Sequence, residues 1–439
     1  MLRRLSSRIL LASALWMCSL AAPGQAGHLA GEAAADAAPL GGMNISAVSG
    51  GSGLSSADRE IQLAAAIHAK AVRVEVPWSA LEPLGAGRVD PRALGFTDRL
   101  VDNAAADGIR VLMLVDDTPC WASSAPARLA RKCMPQRPSA ASSWPPANPS
   151  DYAAIVGFLA ARYGTRLAAI EVWNEPDQAN EDYFAGPDKP HRYAAILRAA
   201  YAAIKQANPQ VPVLGGSIVG SNGAFLRALY AAGIKGYYDG LAVHYYHLTL
   251  ASLRSIREVQ LANGDSKPLW LDEFGWTSCW PHYKVEQEQA CVSEQTQAQN
   301  LTDIFRTLAR TPFVAAEFVY KLQSSKREDF GVLSATGGRK PAFAALSKVL
   351  TSPFGSVSPV KLNLRRQGAS IIASGSGPIG DYMQLEAFQG QVLRYRALFT
   401  LDRFNRYSIT LPSVLGTRGL RVRVYQYWDG VGKDAQKSI

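Results

Sequence analysis

The stretch Ala168-Ala-Ile-Glu-Val-Trp-Asn-Glu-Pro-Asp177 decides how the rest of the chain is interpreted. Its first half is short and apolar, which is typical of a strand buried inside a sheet. Proline has no backbone N–H to donate to a sheet, so Pro176 predicts that the strand ends just before it. Glu175 then lies at the carboxyl end of the strand, where reactive groups of parallel α/β proteins collect.

A second stretch, Pro268-Leu-Trp-Leu-Asp-Glu-Phe-Gly275, repeats this pattern of an apolar strand that ends in a carboxylate. Adjacent side chains of a strand point to opposite faces, so only one of Asp272 and Glu273 is expected to line a site. Glu273 is the preferred candidate, because it shares a face with Leu269 and Leu271. Two carboxylates at one sheet edge suggest acid/base chemistry, of which glycoside hydrolysis is the commonest kind.

Strand-like and helix-like segments alternate around these two stretches. The eight candidate strands are residues 43–48, 71–76, 110–115, 168–173, 213–216, 240–245, 269–274 and 314–320. This count predicts an α/β fold of the (β/α)8 or TIM-barrel type. A doubly wound open sheet is the alternative, but no Gly-x-Gly-x-x-Gly turn follows any of the strands.

The pattern changes after Pro353. Six short segments of alternating hydrophobicity follow, separated by Gly, Pro, Asn and Asp, and they predict a small antiparallel β-sandwich. We therefore expect a catalytic barrel over residues 40–353 and a β-sandwich domain over residues 354–439.

The amino terminus has the pattern of a secretory leader. Arg3, Arg4 and Arg8 precede an apolar run over residues 9–22, and a small-x-small cleavage site lies near Ala26. A signal peptide over residues 1–26 is the preferred prediction, and a retained anchor is the alternative. Residues 27–39 are rich in alanine and glycine and are expected to be a flexible linker. The protein is thus expected to be periplasmic or secreted.

The cysteines agree with export. Removal of the leader with Cys18 leaves Cys120, Cys133, Cys279 and Cys291, an even number that implies disulfide bonds in an exported protein. Three pairings are possible, and the local one, 120 with 133 and 279 with 291, is the simplest. A zinc site is the alternative, but no Cys-x-x-Cys spacing is present.

Charge is unevenly distributed along the chain. Residues 355–439 contain 12 basic and 5 acidic side chains, whereas residues 27–354 are neutral overall. An acidic glycan or a membrane surface is a reasonable partner for this basic end, and improved solubility is an equally good explanation. Nucleic acid is not expected, because no binding motif is present. The six histidines show no metal-binding spacing, so neither a metal nor a cofactor is expected.

Several motifs together resemble glycoside hydrolase clan A. They are Trp173-Asn174-Glu175-Pro176, Glu273 on a later strand, Arg73 on the second strand and His244-Tyr245-Tyr246 on the sixth. The resemblance implies that Glu175 is the acid/base and that Glu273 is the nucleophile. It also implies that Arg73 lies near the nucleophile and that the His-x-Tyr motif gives the nucleophile an aromatic partner.

Within the clan, the segments at residues 118–122 and 330–342 resemble family 39. The order of a barrel and then a small β domain is similar to that of an exported family member that hydrolyses a biofilm exopolysaccharide. Asp116-Asp117 at the end of the third strand departs from the Asp-x-His that is common in family 5. This difference argues against a plain cellulase.

The remaining candidates would support the two glutamates. Asn174 either holds the 2-hydroxyl group of the sugar or caps a turn. Arg73, if buried, needs a carboxylate partner, and the negative charge of Glu273 is expected to raise the pKa of Glu175. His244 and Tyr246 either contact the nucleophile or are ordinary satisfied core residues. The tryptophans expected in loops after strands, which either stack on sugar rings or only pack, are Trp78, Trp121, Trp276 and Trp280.

The leading hypothesis is a monomeric, exported, retaining β-glycosidase that cleaves internal bonds of a cell-envelope or biofilm polysaccharide. An exo-acting β-xylosidase-like hydrolase is the second hypothesis. A non-catalytic glycan-binding protein is the third, although binding alone requires neither glutamate.

Overall fold

Eight parallel strands close into a barrel in which each strand pairs with the next and β8 pairs with β1. The structure, a computed structural model, describes residues 38–46, 54–135, 139–219, 222–246, 250–279, 281, 291–380, 382–426 and 434–438. The strands are β1 (Leu40–Asn44), β2 (Ala71–Pro77), β3 (Arg110–Asp116), β4 (Leu167–Val172), β5 (Val213–Ile218), β6 (Gly240–Tyr245), β7 (Leu269–Phe274) and β8 (Val314–Val319). The predicted (β/α)8 barrel is confirmed. The predicted leader, nearly all of the predicted linker and Trp280 lie outside the described residues.

Helices follow the strands around the outside of the barrel. They are α1 (Leu54–Ala66), α2 (Trp78–Leu81), α3 (Pro91–Ala106), α4 (Ala127–Ala130), α5 (Pro149–Tyr163), α6 (Lys189–Ala207), α7 (Ala224–Ala231), α8 (Ala251–Ala262), α9 (Glu294–Leu308) and α10 (Pro341–Thr351). Local sequence fixes where several begin. Asp90 and Asn148 accept backbone hydrogen bonds at the starts of α3 and α5, and a proline occupies the first turn of each.

Side chains of the barrel strands alternate between two apolar layers. Val72, Val74 and Val76 of β2 point outward into the core between strands and helices. The inner layer is filled mainly by small or flat side chains, namely Ala71, Leu112, Ala168, Ala169, Leu214, Ala242, Trp270, Ala316 and Phe318. Apolar packing therefore fills the interior of the barrel, and the polar inward-facing residues collect near the carboxyl ends of its strands.

The first strand differs from the prediction. It covers Leu40–Asn44 rather than residues 43–48, and residues 47 and 48 lie outside the described ranges. Gly41 and Gly42 suggest a break in a strand, but here they are part of it. A Cβ atom on Gly42 would lie 2.6 Å from the ring of Phe318 and 2.7 Å from the carbonyl oxygen of Ala71. Glycine is present because the barrel interior is crowded there.

The carboxyl-terminal part is the predicted antiparallel β-sandwich. One sheet has the order β13-β10-β9 and the other has the order β12-β11-β14-β15. The strands are β9 (Lys361–Gln367), β10 (Ser370–Ser376), β11 (Met383–Gln389), β12 (Val392–Phe399), β13 (Arg406–Leu411), β14 (Leu420–Gln426) and β15 (Ala435–Ser438). The short polar strand β15 was not predicted. It has no alternating apolar pattern because it is an edge strand with mostly exposed side chains.

The β-sandwich is fastened to α9 of the barrel. The side-chain amide of Asn405 donates to Asn300 Oδ1 at 2.7 Å, and the backbone N–H of Ser358 donates to Asp303 Oδ1 at 2.8 Å. Asn300 and Asp303 are fully buried, and Ile379 from the sandwich belongs to the large barrel core. Removal of the sandwich would therefore expose buried polar and apolar groups of the barrel.

The two predicted local disulfides are present. Cys120 is bonded to Cys133 and Cys279 to Cys291, with Cα–Cα distances of 5.6 and 5.4 Å. Each closes a loop at the end of a barrel strand, and such bonds typically stabilise a protein by about 2–4 kcal/mol. Among the helices of the described residues, none has the length and hydrophobicity required to cross a membrane.

Candidate active site

Irregular pairing around β7 brings both of its carboxylates into the barrel. The register shifts between Ala242 and His244 in the β6–β7 pair, and between Leu271 and Phe274 in the β7–β8 pair. The expectation that Asp272 and Glu273 point to opposite faces is therefore wrong, although only Glu273 of the two lines the pocket described below. A bulge interrupts the alternation of side chains, so neighbouring residues can lie on the same face.

Arg73 on β2 is the centre of the site, and all five of its N–H donors are used. Glu171 accepts two of them, from Nε and Nη2, both at 2.7 Å. Asn44 accepts from Nη1 at 2.9 Å, Glu273 accepts from Nη1 at 2.5 Å, and Asn174 accepts from Nη2 at 3.0 Å. A guanidinium group has a fixed planar geometry, so these bonds hold five residues of four strands and one loop in place.

Glu273 is held by two donors. Besides the bond from Arg73, the hydroxyl group of Tyr246 donates to Glu273 Oε2 at 2.7 Å. The two bonds fix one carboxylate oxygen each, so the orientation of the Glu273 side chain is set by Arg73 and Tyr246. The structure thus brings Arg73, Tyr246 and Asn174 together with Glu273, in the arrangement that the resemblance implies.

Glu175 follows β4 in a strained turn, where Trp173 has φ = 69° and Glu175 has φ = 42°. Its Oε1 atom is 2.7 Å from His244 Nδ1, and its Oε2 atom accepts from Gln178 at 2.9 Å. Burial raises the pKa of Glu175, but the hydrogen bond and charge of His244 outweigh burial and lower that pKa below its usual value. The expected increase in the pKa of Glu175 is therefore wrong for the free protein.

His244 lies between the carboxylates of Glu175 and Asp272. Its Nδ1 atom contacts Glu175, and its Nε2 atom lies 3.3 Å from Asp272 Oδ2. Burial alone would lower the pKa of His244, but the negative charges of Glu273 and Asp272 raise it well above the usual value. As a cation, His244 donates a proton at both nitrogen atoms. The pair formed by His244 and Glu175 therefore holds one proton that can be passed towards a substrate.

Replacing His244 with glutamine is expected to move the basic limb of the pH profile of kcat/KM to lower pH. In the unaltered protein the shared proton is lost only as the pH rises through the raised pKa of His244. In the variant the proton is held by the carboxyl group of Glu175 alone and is lost earlier. The measurement is a pH series on a substrate with a poor leaving group. A substrate that needs no acid is the control, and an unchanged limb for the first substrate would contradict this role of His244.

The distance between the two glutamates is short. One carboxylate oxygen of Glu175, one of Glu273 and a ring nitrogen of His244 all lie within 4.8 Å of one another. Retaining glycosidases have carboxyl groups about 5–5.5 Å apart, whereas inverting enzymes need about 6.5–9.5 Å to admit a water molecule. The geometry fits direct attack by one carboxylate.

These side chains surround a small pocket of about 200 Å³. The residues that line it include Arg73, Asn174, Glu175 and Glu273 of the predicted site, together with Asn44, Ile45, Ser46, Glu75, Leu114, Tyr183, Tyr320 and Lys321. Asn44, Glu171 and Ser217 were not predicted as part of the site, although each lies near the carboxyl end of a barrel strand. Their position at strand ends was the sequence feature from which they could have been predicted. Tyr183 lies in a long loop and had no comparable signal.

Three of the tryptophans predicted to stack on sugar rings lie within the described residues, and none of the three lines the pocket. Trp78 is fully buried, donates to Glu82 Oε2 at 2.8 Å and packs edge-on against Trp121. Trp276 is only 4% exposed and packs against Phe274. Neither can stack on a sugar in this structure, because neighbouring side chains already cover their faces. Trp121 is half-buried and does not line the pocket, so its contact with substrate stays a prediction.

Three groups of side chains bring possible metal ligands within 4.8 Å of one another. Two of these groups share His244 and contain a carboxylate that is bonded to Arg73. The first is Glu171 with His244 and Asp272, and the second is Glu175 with His244 and Glu273. Their charges are thus compensated by the protein itself. The third group is formed by Glu75, Asp116 and Asp117.

Comparisons with known proteins agree with this geometry. Residues 159–338 match a family model described as the glycosyl hydrolase catalytic core, and no curated protein matches the chain. One solved structure of similar fold is a family 39 glycoside hydrolase from the gut symbiont Bacteroides cellulosilyticus WH2. Its TM-score is 0.56 at 16% identity, and the match covers 85% of this chain and 81% of that one.

Two further structures have the same fold. A glucosidase from Croceicoccus marinus has a TM-score of 0.54 at 12% identity, with 85% of this chain and 93% of that one covered. A family 39 enzyme from Xanthomonas axonopodis pv. citri has a TM-score of 0.50 at 13% identity, with 86% and 93% covered. The fold is thus like that of family 39 enzymes, and the region matched by the family model contains both Glu175 and Glu273.

Proposed function

We propose that the protein is a retaining β-glycosidase, because residues 159–338 match a family model described as the glycosyl hydrolase catalytic core. The observation that carries this proposal is the approach of Glu175 and Glu273 to within 4.8 Å. The leading form of the proposal is endo action on a cell-envelope or biofilm polysaccharide outside the cytoplasm. The two disulfides support export.

In the first step, Glu273 attacks the anomeric carbon while Glu175 gives a proton to the departing glycosidic oxygen. The bond to the leaving group breaks and a glycosyl ester of Glu273 forms. In the second step, Glu175 takes a proton from water, and the water oxygen displaces Glu273 from the anomeric carbon. The sugar leaves with its original anomeric configuration and both glutamates are restored.

The surrounding residues have separate roles in this proposal. Arg73 and Tyr246 hold Glu273 in position through the bonds described above. His244 supplies the proton held between itself and Glu175. Asn174 lies beside Arg73 and is placed to meet the 2-hydroxyl group of the sugar, where a hydrogen bond strengthens in the transition state.

Exo action is the second candidate, and the small size of the pocket favours it. A pocket of about 200 Å³ suits a single terminal sugar better than an extended chain. A non-catalytic glycan-binding role is less well supported, since binding requires neither the short distance between the glutamates nor the proton held by His244.

One experiment tests these alternatives. The exported protein is incubated with the exopolysaccharide of its own host and with a panel of β-linked glycans, and the products are sized and examined by NMR. A retained anomeric configuration supports the proposal, and an inverted product contradicts it. A ladder of oligosaccharides indicates endo action, whereas monosaccharide alone indicates exo action.

The basic β-sandwich is proposed to attach the enzyme to an anionic glycan or lipid surface. Its exposed basic side chains include Lys361, Arg365, Arg366, Arg394, Arg396, Arg406, Arg418 and Lys437. Exposed charges are screened within about 10 Å at 0.1 M salt, so attachment should weaken steeply as salt is raised. Hydrolysis of a short neutral substrate should change little over the same range.

Neutralising variants test this attachment better than truncation, because the sandwich is bonded to buried residues of α9. Changing Arg365, Arg366, Arg394 and Arg418 to glutamine should lower retention on polymer or vesicles about tenfold or more and leave turnover unchanged. The matched control changes four exposed basic residues of the barrel, namely Lys70, Arg92, Arg110 and Lys235. Equal retention by both variants would show that the basic end serves solubility only.

A further inference from the structure

A second group of carboxylates lies beside the proposed catalytic pair. Glu75 is on β2, Asp116 ends β3 and Asp117 follows it, and one oxygen of each lies within 4.8 Å of the other two. Arg73 and Glu75 are two residues apart on one strand, so their side chains share the inward face. The group therefore lies above Arg73, towards the mouth of the barrel.

Within the described part of the chain, the three carboxylates stay outside the hydrogen bonds and ion pairs of the site. Among the residues that the structure describes, none donates a hydrogen bond or forms an ion pair with any of them. Asp116 is only 8% exposed, and its buried Oδ1 atom has no hydrogen-bond partner. The nearby guanidinium of Arg73 uses all five donors elsewhere.

Uncompensated negative charge in a half-buried position is costly to a folded protein. Burial and the charge of Asp117 raise the pKa of Glu75 to about 7, and burial raises the pKa of Asp116 well above its usual range. The charge of Arg73 lowers both pKa values, but burial and the neighbouring carboxylates outweigh it. A positively charged ligand would remove this cost.

One member of the group, Glu75, lines the substrate pocket, and Asp116 and Asp117 lie behind it. Glu75 and its neighbour across the strand pair, Leu114, line the same pocket as Glu175 and Glu273. A cation bound by the three carboxylates would thus lie within reach of a sugar ring held at the catalytic pair. This position points to a group carried by the substrate.

The number of acceptors indicates what kind of cation fits. An ammonium group has three N–H donors, as in lysine, and three carboxylates can accept one each. Three carboxylates carry six oxygen atoms, the lower limit of the roughly 6–8 ligands that calcium takes, so calcium is the competing ligand that the test must separate from an amine. A neutral hydroxyl group has a single donor and would leave most of the negative charge uncompensated.

We propose that Glu75, Asp116 and Asp117 form an acidic subsite that binds the protonated primary amine of an amino sugar in the substrate. This inference rests on the proposed glycosidase function and specifies its substrate class. The preferred glycan then carries free amines close to the bond that is cleaved. N-acetylation would weaken recognition, because it removes the charge and enlarges the group.

Equilibrium binding tests this subsite without requiring turnover. The probes are β-1,4-linked oligosaccharides of equal length made of glucosamine, N-acetylglucosamine or glucose, titrated into the full-length protein by calorimetry at about pH 7. The titration is repeated at about pH 6, 7 and 8, because the sugar amine is less basic than lysine and Glu75, with a pKa of about 7, changes its charge over the same range. The glucosamine oligomer should bind about tenfold or more tightly than the other two, as expected for a charge-assisted hydrogen-bond set.

Variants show whether the preference comes from this group. Changing Asp117 to asparagine should weaken the preference for the amine and leave binding of the glucose oligomer unchanged, and adding Glu75→Gln should remove the preference, with the glucose oligomer reporting any general change in the pocket. The single Asp117→Asn variant serves if the double variant fails a thermal-unfolding check. The control, Glu181→Gln with Asp182→Asn, removes two exposed carboxylates of a neighbouring loop and should keep the preference.

Three results would overturn the inference. The first is that the protein binds the three oligomers equally, or binds none of them. The second is that the preference for the glucosamine oligomer survives in the Glu75 and Asp117 variants. The third is binding of calcium by the unaltered protein, lost in these variants, without any preference for the amine. Failure of the glycosidase proposal is distinguished separately, because it would leave the binding preference in place while no glycan of the panel is hydrolysed.

Discussion

Replacing Glu273 with glutamine is expected to abolish hydrolysis, lowering kcat by about 10⁴-fold or more. The amide keeps the shape of the side chain but cannot attack the anomeric carbon, and no glycosyl ester can form. The measurement is turnover of the best substrate in the glycan panel, together with thermal unfolding to show that the variant is folded. Loss of rate on every substrate, activated or not, is the expected result.

Glu175→Gln is the informative comparison. Substrates with good leaving groups need no protonation, so this variant should retain much of its first-step rate on them and lose most of its rate on unactivated glycans. Two variants with the same dependence on the leaving group would contradict the assignment of separate roles.

Near-normal turnover by Glu273→Gln would make Asp272 the candidate nucleophile. The structure argues against this outcome. Asp272 is fully buried, accepts a hydrogen bond from Ser217 at 3.0 Å and lies beside His244. Burial alone would raise its pKa, but the charges of His244 and Arg73 lower it, so Asp272 stays ionised as the partner of two cations. Asp272→Asn is thus expected to disturb His244 rather than to prevent attack.

Replacing Arg73 with methionine is expected to cost about 3–5 kcal/mol of stability and nearly all activity. The side chain is buried and bonded to Glu171, Glu273, Asn44 and Asn174. Its removal leaves two buried carboxylates without their cation, which is among the most destabilising changes in a protein interior. Denaturant unfolding measures the stability loss, and turnover measures the effect on Glu273.

Two further variants make this test specific. Arg73→Lys keeps the charge but cannot form the planar pair with Glu171, so it should recover part of the stability and little of the activity. Arg166 pairs with Asp102 on the exposed surface, and Arg166→Met should cost less than about 1 kcal/mol. Equal losses for the buried and the exposed arginine would show that the network around Arg73 does not stabilise the site.

Local pattern was enough to predict the barrel, the sandwich and the two ends of strands that carry Glu175 and Glu273. Strand periodicity, proline after Glu175 and the spacing of the cysteines all act over a few residues, so they can be recognised in the sequence. The same reasoning missed Gly41 and Gly42 as strand residues, because their use depends on distant side chains, Leu350 beside Gly41 and Phe318 beside Gly42. It also missed β15, whose pairing with β14 is set by the sheet and not by its own residues.

The pKa values of the site residues depend on contacts that form only when the strands pair in the barrel. His244 lies 69 residues from Glu175 in the chain, and only the pairing of the strands brings the two within 2.7 Å. That contact reverses the expected direction of the pKa shift of Glu175. The burial of Trp78 and Trp276, which excludes them as sugar platforms, likewise depends on which loops and helices cover them.

The sequence by itself determined which residue types stand at the ends of the strands, since alternation and strand termination are properties of a short segment. The tertiary structure alone decided which of these residues face one another. A bulge in β7 turns Asp272 inward beside Glu273, and the pairing of β2 with β3 places Glu75 near Asp116 and Asp117. Charges interact through space, so the chemistry of the site depends on distances that no single stretch of sequence contains.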